Sequence, residues 1–204
     1  MLVSAIILTL GAYLLGSLSS AIVICKMFGL PDPRSTGSNN PGATNVLRIA
    51  GKSKAAMVLL FDLFKGLLPV LLVKYSSIFF PSVKDISTHL MGIVGLAAVV
   101  GHVFPVFYQF KGGKGVATAL GVYWGLSLWV GLGCTLAWLV IFKLFRYSSL
   151  ASLVMVSIAS ILTALLIPTY YALIPALSMA ALIIFKHSAN IQRLFQGKEP
   201  KFKK

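Results

Sequence analysis

Acidic residues are nearly missing from this chain. Its 204 residues carry 4 Asp+Glu against 18 Lys+Arg, a formal net charge of +14, and charged residues make up 11% against 58% hydrophobic. Soluble domains carry roughly a quarter charged residues. With less than half of that there is too little polar surface to coat a water-soluble globule. The apolar excess (mean hydropathy +0.92) equally excludes intrinsic disorder. Carboxylate-pair glycoside chemistry lacks its acids on any one face, and no convergent ligand set for a metal is present. Cysteine is scarce too: Cys25 and Cys134 have no metal-type spacing. Positive charge on this scale would point to nucleic acid in a soluble protein. Beside so much apolar sequence it belongs at a membrane surface, with lipid and not nucleic acid as the partner.

Met1 to Cys25 carry no charge, so the basic n-region of a secretory signal is absent and a retained first span is expected. Crossing the roughly 30 Å hydrocarbon core takes about 20 apolar residues. Uncharged runs cover 1–25, 86–110, 115–142 and 147–185, and 55–73 is interrupted only by Asp62 and Lys65. Pro168 divides the longest run into spans near 147–167 and 169–185. The run 115–142 is long for one crossing and short for two. Charge decides between them. With two short crossings turning near Gly131 to Gly133, 15 of the 18 Lys+Arg share one side, leaving Lys74 and Lys84 opposite and Lys65 within a span. The positive-inside bias then predicts seven helices, N-terminus outside and C-terminus cytoplasmic. The short fourth and fifth helices would reach about 22–24 Å each at 1.5 Å per residue, consistent with local thinning or a partly re-entrant pair. Cys25 and Cys134 would lie at opposite membrane edges and form no disulfide. The expected fold is an all-α integral membrane bundle, residues 1–204 forming a single domain without internal repeats. Asp62 and Lys65, at i and i+3, read as a mutually neutralising pair that lets the helix insert, with Lys65 free to snorkel; the alternative reading is functional, with Asp62 orienting a cation of the catalytic face.

Three polar segments, 31–48, 101–118 and 186–199, all fall on the cytoplasmic side of this arrangement. In the first, Gly37-Ser38-Asn39-Asn40-Pro41-Gly42-Ala43-Thr44-Asn45 is rich in residues that tolerate positive φ, so its amides can form an anion nest. The helix from Val46, capped by Thr44 or Asn45, adds positive potential, and Arg48 adds charge. In the second, Lys111-Gly112-Gly113-Lys114-Gly115 sets two ammonium groups among side-chain-free residues at a helix start, a polyanion cradle without P-loop spacing. In the third, His187, Asn190 and Arg193 recur at three-residue spacing and share a helix face. His exchanges protons near neutral pH, and Arg grips phosphate through two N–H groups. His102 and His89 have weaker claims, and His89 is read as structural. Taken alone, these residues imply a membrane enzyme or transporter for a phosphate compound.

The Gly37–Asn45 run resembles the Gly-Ser-Gly-Asn-x-Gly-Ala-Thr-Asn motif of the bacterial PlsY-type glycerol-3-phosphate acyltransferases. Gly101-His102-x-Phe104-Pro105 through Lys111–Thr118 resembles that family's second motif. His187, Asn190, Ile191, Arg193, Leu194, Gly197 and Glu199 resemble its third. Asn39 stands where the family usually has glycine, and Asn is the commonest non-glycine residue at positive φ.

The resemblance implies transfer of a fatty acyl group from acyl phosphate to the 1-hydroxyl of sn-glycerol 3-phosphate. The products are 1-acylglycerol 3-phosphate and phosphate, an EC 2.3.1-type step of phospholipid synthesis at the bacterial inner membrane, without a cofactor. The His-x-x-x-x-Asp of the other glycerol-phosphate acyltransferase class is absent: Val94, Phe107 and Gln192 stand five residues after His89, His102 and His187. On this reading Gly37, Ser38, Asn39, Asn40, Gly42, Thr44, Asn45, Arg48, Lys111, Gly112, Gly113, Lys114, Gly115 and Arg193 bind the two phosphates, Ser38 also counting with the catalytic group. His187 and Asn190 orient and deprotonate the glycerol hydroxyl, with a backbone carbonyl or the substrate phosphate as alternative proton acceptors. A transporter is disfavoured because the polar motifs gather at one edge and not at the midplane of repeated broken helices.

Overall fold

The computed structural model describes the backbone of residues 2–79 and 84–202 and the side chains of 2–76 and 89–202. Lys84, Lys203 and Lys204 of the charge count lie outside the described side chains. The chain is all helical among the described residues: α1 (Leu2–Gly16), α2 (Ser20–Met27), α3 (Ala43–Phe79), α4 (Lys84–Val103), α5 (Val116–Leu126), α6 (Leu128–Phe145), α7 (Ser148–Leu166), α8 (Tyr170–Lys186) and α9 (Ser188–Phe195). Among the described residues, four stretches are long and apolar enough to cross a membrane: 43–76, 89–108, 128–145 and 148–166. The count is six if the bent pairs α1–α2 (45°) and α8–α9 (60°) each make one span. It is a multi-pass membrane protein by length and composition.

Helix α4 lies at the centre, packed against α1, α3, α5 and α8, and α7 seals the other side against α6 and α8. Val94, Ala98, Val99, Val122, Met155, Val156, Ala176 and Met179 form the interior of one continuous cluster. Outward-facing side chains such as Leu10, Leu60, Leu72, Trp129, Leu136 and Leu165 are exposed and apolar, as lipid requires. Lipid tails are as apolar as leucine, so helix association rests on close packing of small residues. The α3–α5 contact is built this way: a methyl group at Gly66 would lie 2.0 Å from the Thr118 carbonyl oxygen, and one at Gly121 would lie 2.0 Å from that of Leu63.

Pro168 does separate α7 from α8, as its missing N–H and fixed φ dictate. The break in the run 115–142 falls elsewhere than expected. The chain turns at Ser127, in extended conformation (φ −154°, ψ 133°), and Gly131 and Gly133 lie inside α6. Gly131 is small because Trp124 lies across it: a methyl there would be 2.6 Å from the indole. The two helices of this run, α5 and α6, are therefore unequal, 11 and 18 residues, and α5 alone is short for the hydrocarbon core.

Lys65 does not snorkel. It is 1% exposed, 2.9 Å from Asp62 Oδ1, and donates to the Leu18 carbonyl at 2.9 Å. That carbonyl sits in the break between α1 and α2, where helix hydrogen bonds run out. Cys25 and Cys134 are free and buried, in two separate apolar clusters. His89 stacks on Tyr171 with ring centroids 3.5 Å apart, in keeping with a structural role.

Gly121→Val should lower the detergent-solubilised protein's melting temperature, corresponding to about 1–3 kcal/mol of overpacking strain. A thermal melt unchanged from wild type would contradict the backbone-to-backbone packing of α3 and α5.

Candidate active site

The first polar segment is held by its own side chains. Asp32 and Arg34 pair at 2.7 Å, and the Asp32 carbonyl accepts from Thr36 Oγ1 at 2.9 Å. Asn45 was expected as a helix cap. Instead α3 begins at Ala43, and the Asn45 side chain reaches back: Nδ2 donates to the carbonyls of Pro33 (2.8 Å) and Thr36 (2.9 Å), and Oδ1 accepts the Ser38 N–H (2.8 Å). Buried and saturated, it shapes the loop. Gly37 (φ 65°) and Asn39 (φ 55°) take left-handed conformations, so Asn39 is accommodated where the resembling family has glycine. The nest is smaller than the sequence implies, because the Ser38, Asn39 and Gly42 amides donate within the loop. The first-turn amides of α3, at Ala43 and Thr44, remain for an anion. Thr44 Oγ1 lies 3.3 Å from Ser148 Oγ, while Ser38 and Asn39 are exposed and Asn40 and Gly42 half-buried at the rim. The helix breaks again at Gly51 (φ 80°), three residues after exposed Arg48.

The second segment leaves α4 through Pro105 and a single 3-10 turn, Val106–Tyr108, turns again at left-handed Gln109 and Phe110 (φ 56° and 58°), and runs without regular structure to Gly115 (φ 84°), which starts α5. Gly112 and Gly113 pack on His102, and the Gly113 N–H donates to the His102 carbonyl at 3.1 Å. Lys111 is exposed at the rim, whereas Lys114 turns inward.

Lys114 Nζ donates to Asn190 Oδ1, and Asn190 Nδ2 donates to Glu199 Oε1 at 2.6 Å. Glu199 also accepts from Ser149 Oγ (2.7 Å) and Arg193 Nε (2.8 Å). One carboxylate thus joins α7, α9 and the tail, and through Asn190 reaches the glycine-rich segment. His187, 2% exposed at the bend between α8 and α9, has Nδ1 2.8 Å from the Ile183 carbonyl. A carbonyl only accepts, so Nδ1 carries the hydrogen and Nε2 presents a lone pair.

Burial pushes the Lys114 ammonium down to about 8, with Glu199 opposing and Arg193, Arg48 and Lys186 reinforcing the shift. Burial, with Lys114 beside it, brings His187 to about 4, so its imidazole is neutral at physiological pH. The Glu199 carboxyl lies below its usual range: burial opposes ionisation, and its hydrogen bonds with Ser149, Asn190 and Arg193 more than offset it. The arrangement is a neutral base beside a half-desolvated cation, with helix-start amides facing the same edge.

A family model described as glycerol-3-phosphate acyltransferase matches residues 6–197. The chain belongs to the glycerol-3-phosphate acyltransferase family. The relative from Vibrio campbellii is 49% identical over 197 residues, covering 97% of this chain and 92% of that one. The relative from Coxiella burnetii strain Dugway is 50% identical over 192 residues, covering 94% and 95%. Among solved structures, the glycerol 3-phosphate form of the integral membrane enzyme PlsY superposes with TM-score 0.89 at 42% identity, over 98% of this chain and 96% of that one. Its lysophosphatidic acid form gives 0.87 at 41%, over the same shares. Membership makes this an acyltransferase of lipid biosynthesis embedded in a membrane.

Of the residues singled out in the sequence, His187, Asn190, Arg193 and Lys114 meet in one place, whereas Lys111 stays at the rim and Asn45 is enclosed. Ser149 carried no motif signal. Glu199 was legible as part of the third motif, but no role in the site was assigned to it. His102, given a weak claim, is buried under the second segment.

Glu199→Gln is expected to remain monodisperse and lose about tenfold or more in turnover, the scale of charged hydrogen bonds worth about 1.5–3 kcal/mol. Wild-type kcat in that variant would remove Glu199 from the site's support.

Proposed function

We propose that this enzyme transfers a fatty acyl group from acyl phosphate to the 1-hydroxyl of glycerol 3-phosphate, releasing lysophosphatidic acid and inorganic phosphate. We place the site at the cytoplasmic face of the bacterial inner membrane, in a seven-helix bundle with its N-terminus outside. The observation that carries the reading is the junction of Lys114, Asn190 and His187 at the end of the bundle that also holds the α3 start. The glycerol 3-phosphate and lysophosphatidic acid forms of PlsY support the acceptor and product.

An acyl phosphate is already activated, so positioning two anions and stabilising developing charge supplies the catalysis. The hydroxyl oxygen attacks the acyl carbonyl carbon, the new C–O ester bond forms, and the carbon–oxygen bond to phosphate breaks with its electron pair leaving on phosphate. His187 Nε2 accepts the hydroxyl proton, its ring fixed by the Ile183 carbonyl. A bound phosphate dianion offsets the push of Lys114 on that ring and raises its basicity. Asn190 holds the Lys114 ammonium in register for a substrate phosphate. Arg48, Arg193 and Lys111 supply the surrounding positive field, and Gly37, Ser38, Asn39, Asn40, Gly42 and Thr44 form the wall against the second phosphate, with Gly112, Gly113 and Gly115 admitting close backbone approach. The attack is direct, without an acyl-enzyme.

Purified protein should release phosphate only when acyl phosphate and glycerol 3-phosphate are both present, and His187→Ala and Lys114→Ala should abolish release while staying folded. Near-normal turnover in either variant, or mass-spectrometric capture of acyl-Ser38, would overturn the assigned roles.

Lys114 is a cation below about pH 8 and loses its charge above it. Accordingly kcat/KM for glycerol 3-phosphate should fall as pH rises through about 8, because that ratio reports the free enzyme. A profile flat from pH 7 to pH 9 would contradict the assignment.

A further inference from the structure

A charged cluster lies deep in the bundle, under the glycine-rich segment, and the transfer chemistry does not use it. Asp62 Oδ1 receives Ser20 Oγ at 2.7 Å and Lys65 Nζ at 2.9 Å, and lies 3.4 Å from His102 Nδ1. Thr118 Oγ1 stands 3.2 Å from the same ring nitrogen. Asp62 and Lys65 lie on α3 and His102 on α4. Buried charge is expensive, and inside a spanning segment it marks function more often than packing.

What the cluster fixes is the orientation of one ring. Facing an ionised carboxylate, which only accepts, Nδ1 carries the hydrogen and Nε2 points the other way. There it meets Gly113: a methyl group on that residue would lie 2.2 Å from Nε2 and 3.1 Å from the Pro41 carbonyl oxygen. Gly113 therefore threads between the His102 ring and the first polar segment. The same histidine holds the segment by its backbone, since its carbonyl accepts the Gly113 N–H at 3.1 Å. A methyl at Gly112 would lie 2.1 Å from that carbonyl oxygen. The next residue along is Lys114, whose ammonium reaches Asn190.

We propose that His102, oriented by Asp62, is a positioning residue that sets how deeply Gly113 sits and hence where Lys114 presents its ammonium to the glycerol 3-phosphate phosphate. This rests on the reading that Lys114 binds that substrate. A ring free to rotate about its side-chain bonds would give Gly113 a variable floor. The carboxylate, neutralised by Lys65 and braced by Ser20, removes that freedom.

The test is a mutant cycle on the full-length protein in detergent, read by calorimetric titration with glycerol 3-phosphate alone and then by kcat and KM with acyl phosphate. His102→Asn keeps an N–H at the Nδ1 position and removes the ring edge beneath Gly113. Gly113→Ala drives a methyl into that edge. Gly113→Ala should weaken glycerol 3-phosphate binding at least tenfold and His102→Asn at least threefold. The double variant should bind no worse than His102→Asn, because the missing ring makes room for the methyl. Asp62→Asn, of equal size, should also weaken binding at least threefold while the folded fraction stays monodisperse. His102→Ala, which empties the Nε2 position altogether, serves as the second ring-less variant and should show the same non-additivity with Gly113→Ala. Multiplicative losses in the cycle, or His102→Asn binding within twofold of wild type, would overturn the proposal. A role confined to stability would lower the melting temperature and leave the affinity of the folded fraction unchanged. Binding of glycerol 3-phosphate does not involve the acyl donor. Wild-type protein that binds it yet releases no phosphate from acyl phosphate would therefore defeat the donor assignment and leave this inference standing.

Discussion

Mutual repulsion among cations is the condition this site has to satisfy, and it explains why so rare a residue as a carboxylate occupies its centre. Lys114, Arg193, Arg48 and Lys186 lie close enough for their charges to act on one another, and Lys114 is desolvated as well. Without an internal counter-charge the three segments would separate. Glu199 supplies it, and its two oxygens are shared among Ser149, Asn190 and Arg193. Glu199 opposes the charge on Lys114 through space and by way of the Asn190 amide, which takes the ammonium's hydrogen bond. That leaves the ammonium attracted to an incoming phosphate and not sealed in an ion pair. A direct Lys114–Glu199 bridge would hold the fold equally well and compete with substrate.

The membrane shapes the rest. Helices that gain nothing from hiding leucine must approach through small residues, and the α3–α5 and α1–α4 contacts do so. Two bends, after α1 and after α8, free polar backbone where a helix is interrupted. One leaves the Leu18 carbonyl for Lys65, and the other places His187 at the bend with its ring held by the carbonyl one turn back. Both bends use the same device. A broken helix frees a backbone group, and a titratable side chain is anchored on it.

Much of this was legible in the sequence, and the limits have physical reasons. Pro168 forces its break through its own covalent geometry, so α7 and α8 could be separated by inspection. Ser127 breaks the chain without any such compulsion, and the glycines beside it misdirect, because in a bundle glycine serves close packing as often as turning. The Asp62–Lys65 pair was visible at its i, i+3 spacing. The partners that give it meaning, Ser20, His102 and Thr118, stand 42, 40 and 56 positions away in the chain and are joined only by packing. Asn45 looked like a cap because capping is what Asn does near a helix start, but a loop with several carbonyls facing inward made a stronger claim on its amide. Local chemistry is readable from sequence. Contacts between helices are not.

The central claim is that the three polar segments meet on one side of the membrane. Single cysteines at the exposed positions Ser35, Lys111 and Lys198, with buried Cys25 and Cys134 replaced by alanine, can be probed with a membrane-impermeant maleimide in intact and in lysed cells. The account predicts no labelling of any of the three until the cells are lysed. Labelling of even one of them from outside an intact cell would mean that the site cannot assemble as described.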